Sequence, residues 1–251
     1  MKAKKIIPCM DIRGGKIVKG VNFENIREIA DPVEMAAYYS ASGADELVFY
    51  DITASAEGRS VFDDLLSRVI REINIPLMVG GGIAAIEDCE RVFALGGAKV
   101  SINSGAIKNP DLIAKAAGKY GSACVALSMD VKKIGADYRV FSSGGMADTG
   151  ICALEWAHRG QENGAGELVI NSIAGDGART GFDLEMLLAI RSVSHLPIVA
   201  SGGAGKKEDF LELFTKTDIE AGLAASIFHL KEVQIPDLKE YLSSNGIAVC
   251  N

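Results

Sequence analysis

Short apolar runs alternate along this chain with longer amphipathic stretches. The runs are Lys5–Asp11, Glu46–Asp51, Pro76–Gly80, Ala98–Asn103, Ala123–Asp130, Glu167–Ser172, Pro197–Ser201 and Ala221–Ser226. Most show no clean polar/apolar alternation, the pattern of strands covered on both faces in a parallel sheet. Helix signals fill the intervals. Asp31-Pro32-Val33-Glu34 places an N-cap, a proline at the first helical position and a carboxylate three residues after the cap. Asn109-Pro110 opens another helix in the same way, and Asp183 precedes Leu184–Leu188 with its apolar residues on one face. Eight strands separated by helices predict an α/β fold, a (β/α)8 TIM barrel, in preference to an open doubly wound sheet.

The two halves of the chain repeat one another. Ala44–Val48 matches Ala165–Val169, and Ile75–Gly82 matches Leu196–Gly203, both at an offset of 121 (167 − 46; 197 − 76). Ser101–Ser104 matches Leu223–Ser226 at 122, and Met10-Asp11 matches Met129-Asp130 at 119. Four matches in order predict two half-barrels, approximately 1–120 and 121–251, within one barrel domain spanning 1–251. No linker-like or low-complexity stretch divides them.

The repeat gives candidate chemistry a place. Asp11 and Asp130 end the first and fifth strands, on opposite sides of the C-terminal mouth where barrel active sites are built. Two carboxylates across one cavity suit paired proton transfers, although a strand-end aspartate also caps loops. Asp51 and Asp176 follow strands too; for Asp51, binding a substrate and holding its own loop are equally good readings. Gly80-Gly81-Gly82 with Ser101–Ser104, and Ser201-Gly202-Gly203 with Ala224–Ser226, form two equivalent pairs of turns. Glycine lets backbone N–H groups approach an anion, and serine or asparagine adds donors. Two such turns facing each other predict an elongated substrate with a phosphate at each end, whereas one alone would read as a tight turn. Arg13–Gly20 is glycine-rich and basic, either a mobile lid carrying Lys16 or Lys19 to the substrate or a solvated hairpin. At the opposite face, Lys5, Glu46, Lys99 and Glu167 start strands one, two, four and six. They form an exposed rim, or, pointing inward, a plug of salt bridges that gates the axis.

Composition narrows the partners. The 251 residues are the usual length of one α/β barrel; 48% are hydrophobic and 24% charged, which suits a large core. The formal net charge of −7 argues against nucleic-acid binding, while oriented N–H groups still allow an anionic ligand. Five cysteines without CxxC and three histidines without HExxH predict reduced thiols, with no disulfide framework and no metal cluster. The start lacks the apolar core of a signal peptide, and no run approaches the ~18 apolar residues of a membrane span. A cytoplasmic location is expected.

Ile6–Asp11, Val18–Phe23, Glu46–Ser55 with its DITAS segment, Val79–Ile83, Val100–Ser104, Ala200–Gly205 and Leu223–His229 resemble the cyclase subunits of imidazole glycerol phosphate synthase, over nearly the whole chain. The resemblance implies a lyase of histidine biosynthesis that needs no cofactor. It would convert N'-phosphoribulosyl-formimino-AICAR ribonucleotide and ammonia to imidazole glycerol phosphate and AICAR ribonucleotide. Ammonia would come through the barrel from a glutaminase subunit docked, as a heterodimer, on the N-terminal face. Asp11 and Asp130 match the family's acid/base pair and Lys19 its substrate-side lysine. Gly82, Asn103 and Ser104 match one phosphate site; Asp176, Gly177, Gly203, Ala225 and Ser226 match the other. Lys5, Glu46, Lys99 and Glu167 match the gate. This chain departs from the family pattern at Lys5, where arginine is common, and at Ala98, which replaces an aspartate. It also departs at Ala174 and Gly175, in a segment usually richer in polar side chains, and at Met146, often basic. The sister isomerase of the same pathway shares the barrel and aspartates but typically lacks DITAS; an ammonia-channelling subunit that performs no cyclisation is a further alternative.

Overall fold

The computed structural model describes residues 3–21, 24–54 and 63–250, with the side chains of 19–28 left out. Twelve strands belong to one sheet. They are β1 (Lys5–Arg13), β2 (Lys16–Val21), β3 (Glu24–Ala30), β4 (Leu47–Asp51), β5 (Leu77–Gly80) and β6 (Lys99–Ile102), then β7 (Val125–Ile134), β8 (Asp137–Ser142), β9 (Ala147–Cys152), β10 (Glu167–Ser172), β11 (Ile198–Ser201) and β12 (Ala221–Ala224). Eight of them pair in parallel in the order β1-β4-β5-β6-β7-β10-β11-β12, and β12 pairs back onto β1. The barrel is closed, so none of its staves is an edge.

Helices fill the crossovers, and their starts follow the sequence. The Asp31 carboxylate accepts from the N–H groups of Val33 and Glu34 at the head of Pro32–Ala41, and Asp183 accepts from Met186 at the head of Leu184–Arg191. Outward-facing stave residues such as Phe49, Val79, Leu127 and Ile170 are fully buried beneath these helices, with Leu66 and Phe210 on the helix side. At roughly 1.5–3 kcal/mol for each large apolar side chain buried, this outer shell is the main support of the fold.

Inside the barrel, alternate residues point to the axis and stack in layers. Lys5, Glu46, Lys99 and Glu167 form the floor. Above them Ile7, Cys9, Val48, Met78, Ala126, Val169, Val199, Ala221 and Leu223 make an apolar cluster separate from the outer core. The next inward positions are polar: Asp11, Tyr50, Ser101, Asn103, Ser128, Asp130, Asn171 and Ser201. The register agrees, pairing Asp11 with Tyr50, Asn171 with Asp130 and Asn171 with Ser201.

Two strands run on past the barrel. β1 continues beyond Asp11 into an antiparallel excursion through β2 and β3, and β7 continues beyond Asp130 into β8 and β9. The two aspartates therefore sit within long strands, where the sequence reading ended those strands at the carboxylates. Arg13–Gly20 is the hairpin of its two readings: Arg13 pairs with Lys16 across Gly14-Gly15. Both glycines have positive φ (56° and 78°), as a tight turn between twisted strands requires.

Candidate functional site at the barrel mouth

One cavity of about 410 Å³ opens at the C-terminal mouth. Its lining holds Asp11 and Asp130 with Gly82, Asn103, Ser104, Asp176, Gly177, Gly203, Ala225 and Ser226. Both aspartates and the candidate phosphate residues thus meet in one place, whereas Lys16 is not in this lining and pairs with Asp31 at 3.7 Å. Lys19 lies in β2 opposite Arg27; its side chain, like Ser55 of the DITAS segment and the Asn22-Phe23 pair, lies outside the described residues.

Asp130 is held from both sides. Asn103 Nδ2 donates to Oδ2 at 2.9 Å, and Asn171 Nδ2 donates to Oδ1 at 3.0 Å. Burial pushes its carboxyl up to about 6; the two amide bonds oppose this, and the fields of Asp176 and Asp11 add to it. A carboxyl titrating there can take or give a proton near neutrality. Across the cavity, the Cys9 thiol lies 3.6 Å from Asp11 Oδ1. Asp51 is 1% exposed and accepts from the Thr53 and Ala54 N–H groups at 3.3 and 3.1 Å. Of its two readings, holding the turn is the one these bonds support. Tyr50, paired in register with Asp11, has its hydroxyl 2.9 Å from Ser101 Oγ, and burial raises the phenol above its ordinary range. Gly80 leaves room for that ring, since a Cβ there would stand 2.5 Å from it.

The two glycine turns are built alike. Gly81 (φ 87°) follows β5, and a Cβ on it would meet the Asp51 carbonyl oxygen at 2.1 Å. Its repeat partner Gly202 (φ 86°) follows β11, and a Cβ there would meet the Ser172 carbonyl oxygen at 2.6 Å. Each turn is thus pressed against the preceding stave's loop in a conformation that L side chains rarely adopt. Beside the first turn, Asn103 leads into the short helix Ser104–Lys108; beside the second, Ala225 leads into Ser226–His229. The basic residues among the described lining are Arg13 and Arg179. Both Arg179 contacts to the Glu232 carboxylate, at 3.1 and 2.8 Å, come from one guanidinium nitrogen. Apart from these two arginines, the described lining offers glycine backbone and serine and asparagine side chains as donors, the groups from which anion sites can be built.

At the floor, the charges point inward. Lys5 Nζ is 3.3 Å from Glu46, Lys99 Nζ is 3.0 Å from Glu46, and Lys99 Nζ is 2.7 Å from Glu167. Glu46 is 1% exposed and Lys99 and Glu167 are largely buried, so these three form an inward plug, while Lys5, 41% exposed, reaches it from the rim. Burial opposes the charge on Lys99, but Glu167 and Glu46 outweigh it and hold the ammonium above its ordinary value. Lys5, in place of the more usual arginine, still reaches Glu46. Met146 is 76% exposed and lines the cavity from the β8–β9 turn.

Asn171, Tyr50 and Ser128 were not singled out in the sequence. Following every second residue inward from Glu167 through Val169 reaches Asn171, so the strand period was the available signal. Among the described residues, no group of three or more His, Cys, Asp or Glu side chains is placed to hold a metal ion, and no helix is long and apolar enough to cross a membrane.

The family of histidine biosynthesis proteins matches residues 5–234. Imidazole glycerol phosphate synthase subunit HisF of Oceanobacillus iheyensis is 49% identical over 250 residues, covering 99% of this chain and 98% of its own. The protein of the same name from Lactococcus lactis subsp. cremoris is 48% identical over 249 residues (98% and 96%). That from Deinococcus radiodurans is 47% identical over 252 residues (99% and 97%). With the closed barrel and the doubled site already in place, this chain belongs to the HisF family, the cyclase subunits of imidazole glycerol phosphate synthase in histidine biosynthesis.

Proposed function

We propose that the mouth converts N'-phosphoribulosyl-formimino-AICAR ribonucleotide and ammonia to imidazole glycerol phosphate and AICAR ribonucleotide, with Asp11 and Asp130 as its acid/base pair. The observation that carries this reading is the placement of both carboxylates in one cavity between two matched glycine turns. Making C–N bonds to ammonia and breaking the bond to the departing AICAR both move protons, and two carboxyls in different environments can divide that work. Gly82, Asn103 and Ser104 hold one phosphate; Asp176, Gly177, Gly203, Ala225 and Ser226 surround the other, with Asp176 orienting its loop. Lys19, on β2, is the substrate-side lysine of this reading.

Ammonia enters from the floor. The apolar layer above Lys5, Glu46, Lys99 and Glu167 favours the neutral molecule over ammonium, since an unpaired ion there would lose its hydration. The charged floor must part for passage, and a glutaminase subunit docked on the N-terminal face, forming a heterodimer in the cytoplasm, supplies both the ammonia and the trigger. Retention of both aspartates favours this reading over a subunit that only channels ammonia.

The isolated chain is expected to form imidazole glycerol phosphate with ammonium salts at alkaline pH, where free ammonia is abundant, and to use glutamine only when the glutaminase is added. Absorbance and chromatography of the products check this; no imidazole product with ammonium would reject the cyclase reading.

A further inference from the structure

We propose that Asn171, oriented by Ser201, is a positioning residue that holds Asp130 in place as a hydrogen-bond acceptor and sets the pH at which that carboxyl exchanges its proton. The inference rests on the activity proposed above but reads a different set of bonds. Three staves meet here. Asn171 on β10 pairs in register with Asp130 on β7 and with Ser201 on β11, so all three side chains point inward at one level. Ser201 Oγ donates to Asn171 Oδ1 at 3.1 Å, and Asn171 Nδ2 donates to Asp130 Oδ1 at 3.0 Å.

The direction of this chain has a chemical consequence. With its oxygen engaged by the serine hydroxyl, the amide turns its N–H toward the carboxylate. The reversed amide would set an oxygen against an ionised Asp130, which is repulsive. Asn103 occupies the other carboxylate oxygen with a second N–H. Both bonds favour the charged form, against the burial that disfavours it. The titratable groups facing Asp130 are Asp11 of β1, Asp176 of the loop after β10 and the Tyr50 phenol of β4. None of them is a cation, and both carboxylates repel negative charge. The two amides are therefore the identified groups that keep Asp130 ionisable near neutrality, and Asn171 is the one with a second residue fixing its orientation.

The test compares Asn171→Leu, Asn171→Thr and Ser201→Ala in the full chain with wild type, by two readouts. The first is the titration of the Asp130 carboxyl carbon by carbon-13 NMR without substrate. The second is the pH profile of kcat/KM with ammonium. Loss of a hydrogen bond to a charged group is expected to move the Asp130 midpoint up by about one pH unit in Asn171→Leu, and the acidic limb of the profile with it. Ser201→Ala shifts both the same way by less, because the donor stays but is no longer fixed. Asn171→Thr, whose hydroxyl can still donate and whose branched side chain suits a strand, recovers most of the shift. Should Asn171→Leu fold poorly, Ser201→Ala alone decides: an unmoved midpoint overturns the proposal. So does a reduced rate with both midpoints unchanged, which is the mark of a merely structural residue. A shifted titration in a wild-type background that makes no imidazole product would leave this positioning role standing and remove the proposed activity.

Discussion

Asp11→Asn and Asp130→Asn are each expected to lower turnover with ammonium by roughly 10²–10⁴-fold, the range that a positioned acid or base contributes. Asparagine keeps the size of aspartate but cannot exchange a proton, and at position 130 it can accept from only one of the two flanking amides. Loss of activity with an intact fold therefore isolates proton transfer from packing. For Asp130 the fold itself gives a second check. Its carboxyl is raised from 3.8 to about 6, so ionisation costs more in the folded chain than in the unfolded one. Stability associated with this group is full below pH 4 and is lost as pH rises through 6. Asp130→Asn is thus expected to melt above wild type at pH 8, by about 1–3 kcal/mol before subtracting weakened amide bonds, and to lose that advantage near pH 4. Thermal melts at the two pH values measure it. A near-normal rate in either variant removes the acid/base assignment; a lower melting point for Asp130→Asn at pH 8 contradicts the account of its burial.

The second large effect lies at the other end of the barrel. Lys99 stands between Glu46 and Glu167, and its removal leaves two carboxylates facing each other with Lys5 as the remaining nearby cation. Breaking a buried ion pair from one side costs about 3–5 kcal/mol, far more than the pair is worth against an apolar replacement. Lys99→Met is expected to lower the urea unfolding free energy by that amount at pH 8. The loss should shrink toward pH 5, as one of the carboxylates takes a proton. Adding Glu167→Gln should recover part of it, because one stranded charge is gone. Equal stabilities for wild type and Lys99→Met at pH 8 would mean that the floor charges are solvated after all.

Much of this architecture was legible in the chain because barrels repeat. The apolar runs and the recurring offsets of 119 to 122 residues place eight staves and pair Asp11 with Asp130, Gly81 with Gly202 and Asn103 with Ala225. Less visible was everything that depends on which way a side chain points. Glu46 reads equally well as a rim charge or a buried one until the register sets it beside Lys5 and Lys99. Asp51 reads equally as a ligand or a loop holder until its oxygen is seen accepting from Thr53 and Ala54. Strand ends were also misjudged: β1 and β7 run past their aspartates because Ile12-Arg13 and Val131–Ile134 find antiparallel partners in neighbouring hairpins, a pairing that no local pattern announces. Asn171 went unnoticed because an asparagine in an apolar run draws no attention until Asp130 is found 3.0 Å from its amide nitrogen.

The departures from the family pattern fall at the floor, in the loop after β10 and at the rim of the cavity. Lys5 lies at the floor with Ala98 beside Lys99, and Ala174 and Gly175 precede Asp176-Gly177 in the loop after β10. Met146 places an apolar side chain at the rim of the cavity. Asp11, Asp130 and both glycine turns are retained.

The most direct measurement is a crystal structure with the bisphosphorylated substrate held in the mouth of the Asp130→Asn protein. Two phosphates are expected, one beside Gly82, Asn103 and Ser104 and the other beside Gly177, Gly203, Ala225 and Ser226, with the reacting chain running between Asp11 and position 130. Density for one phosphate only, or a substrate lying away from Asp11, would contradict the account.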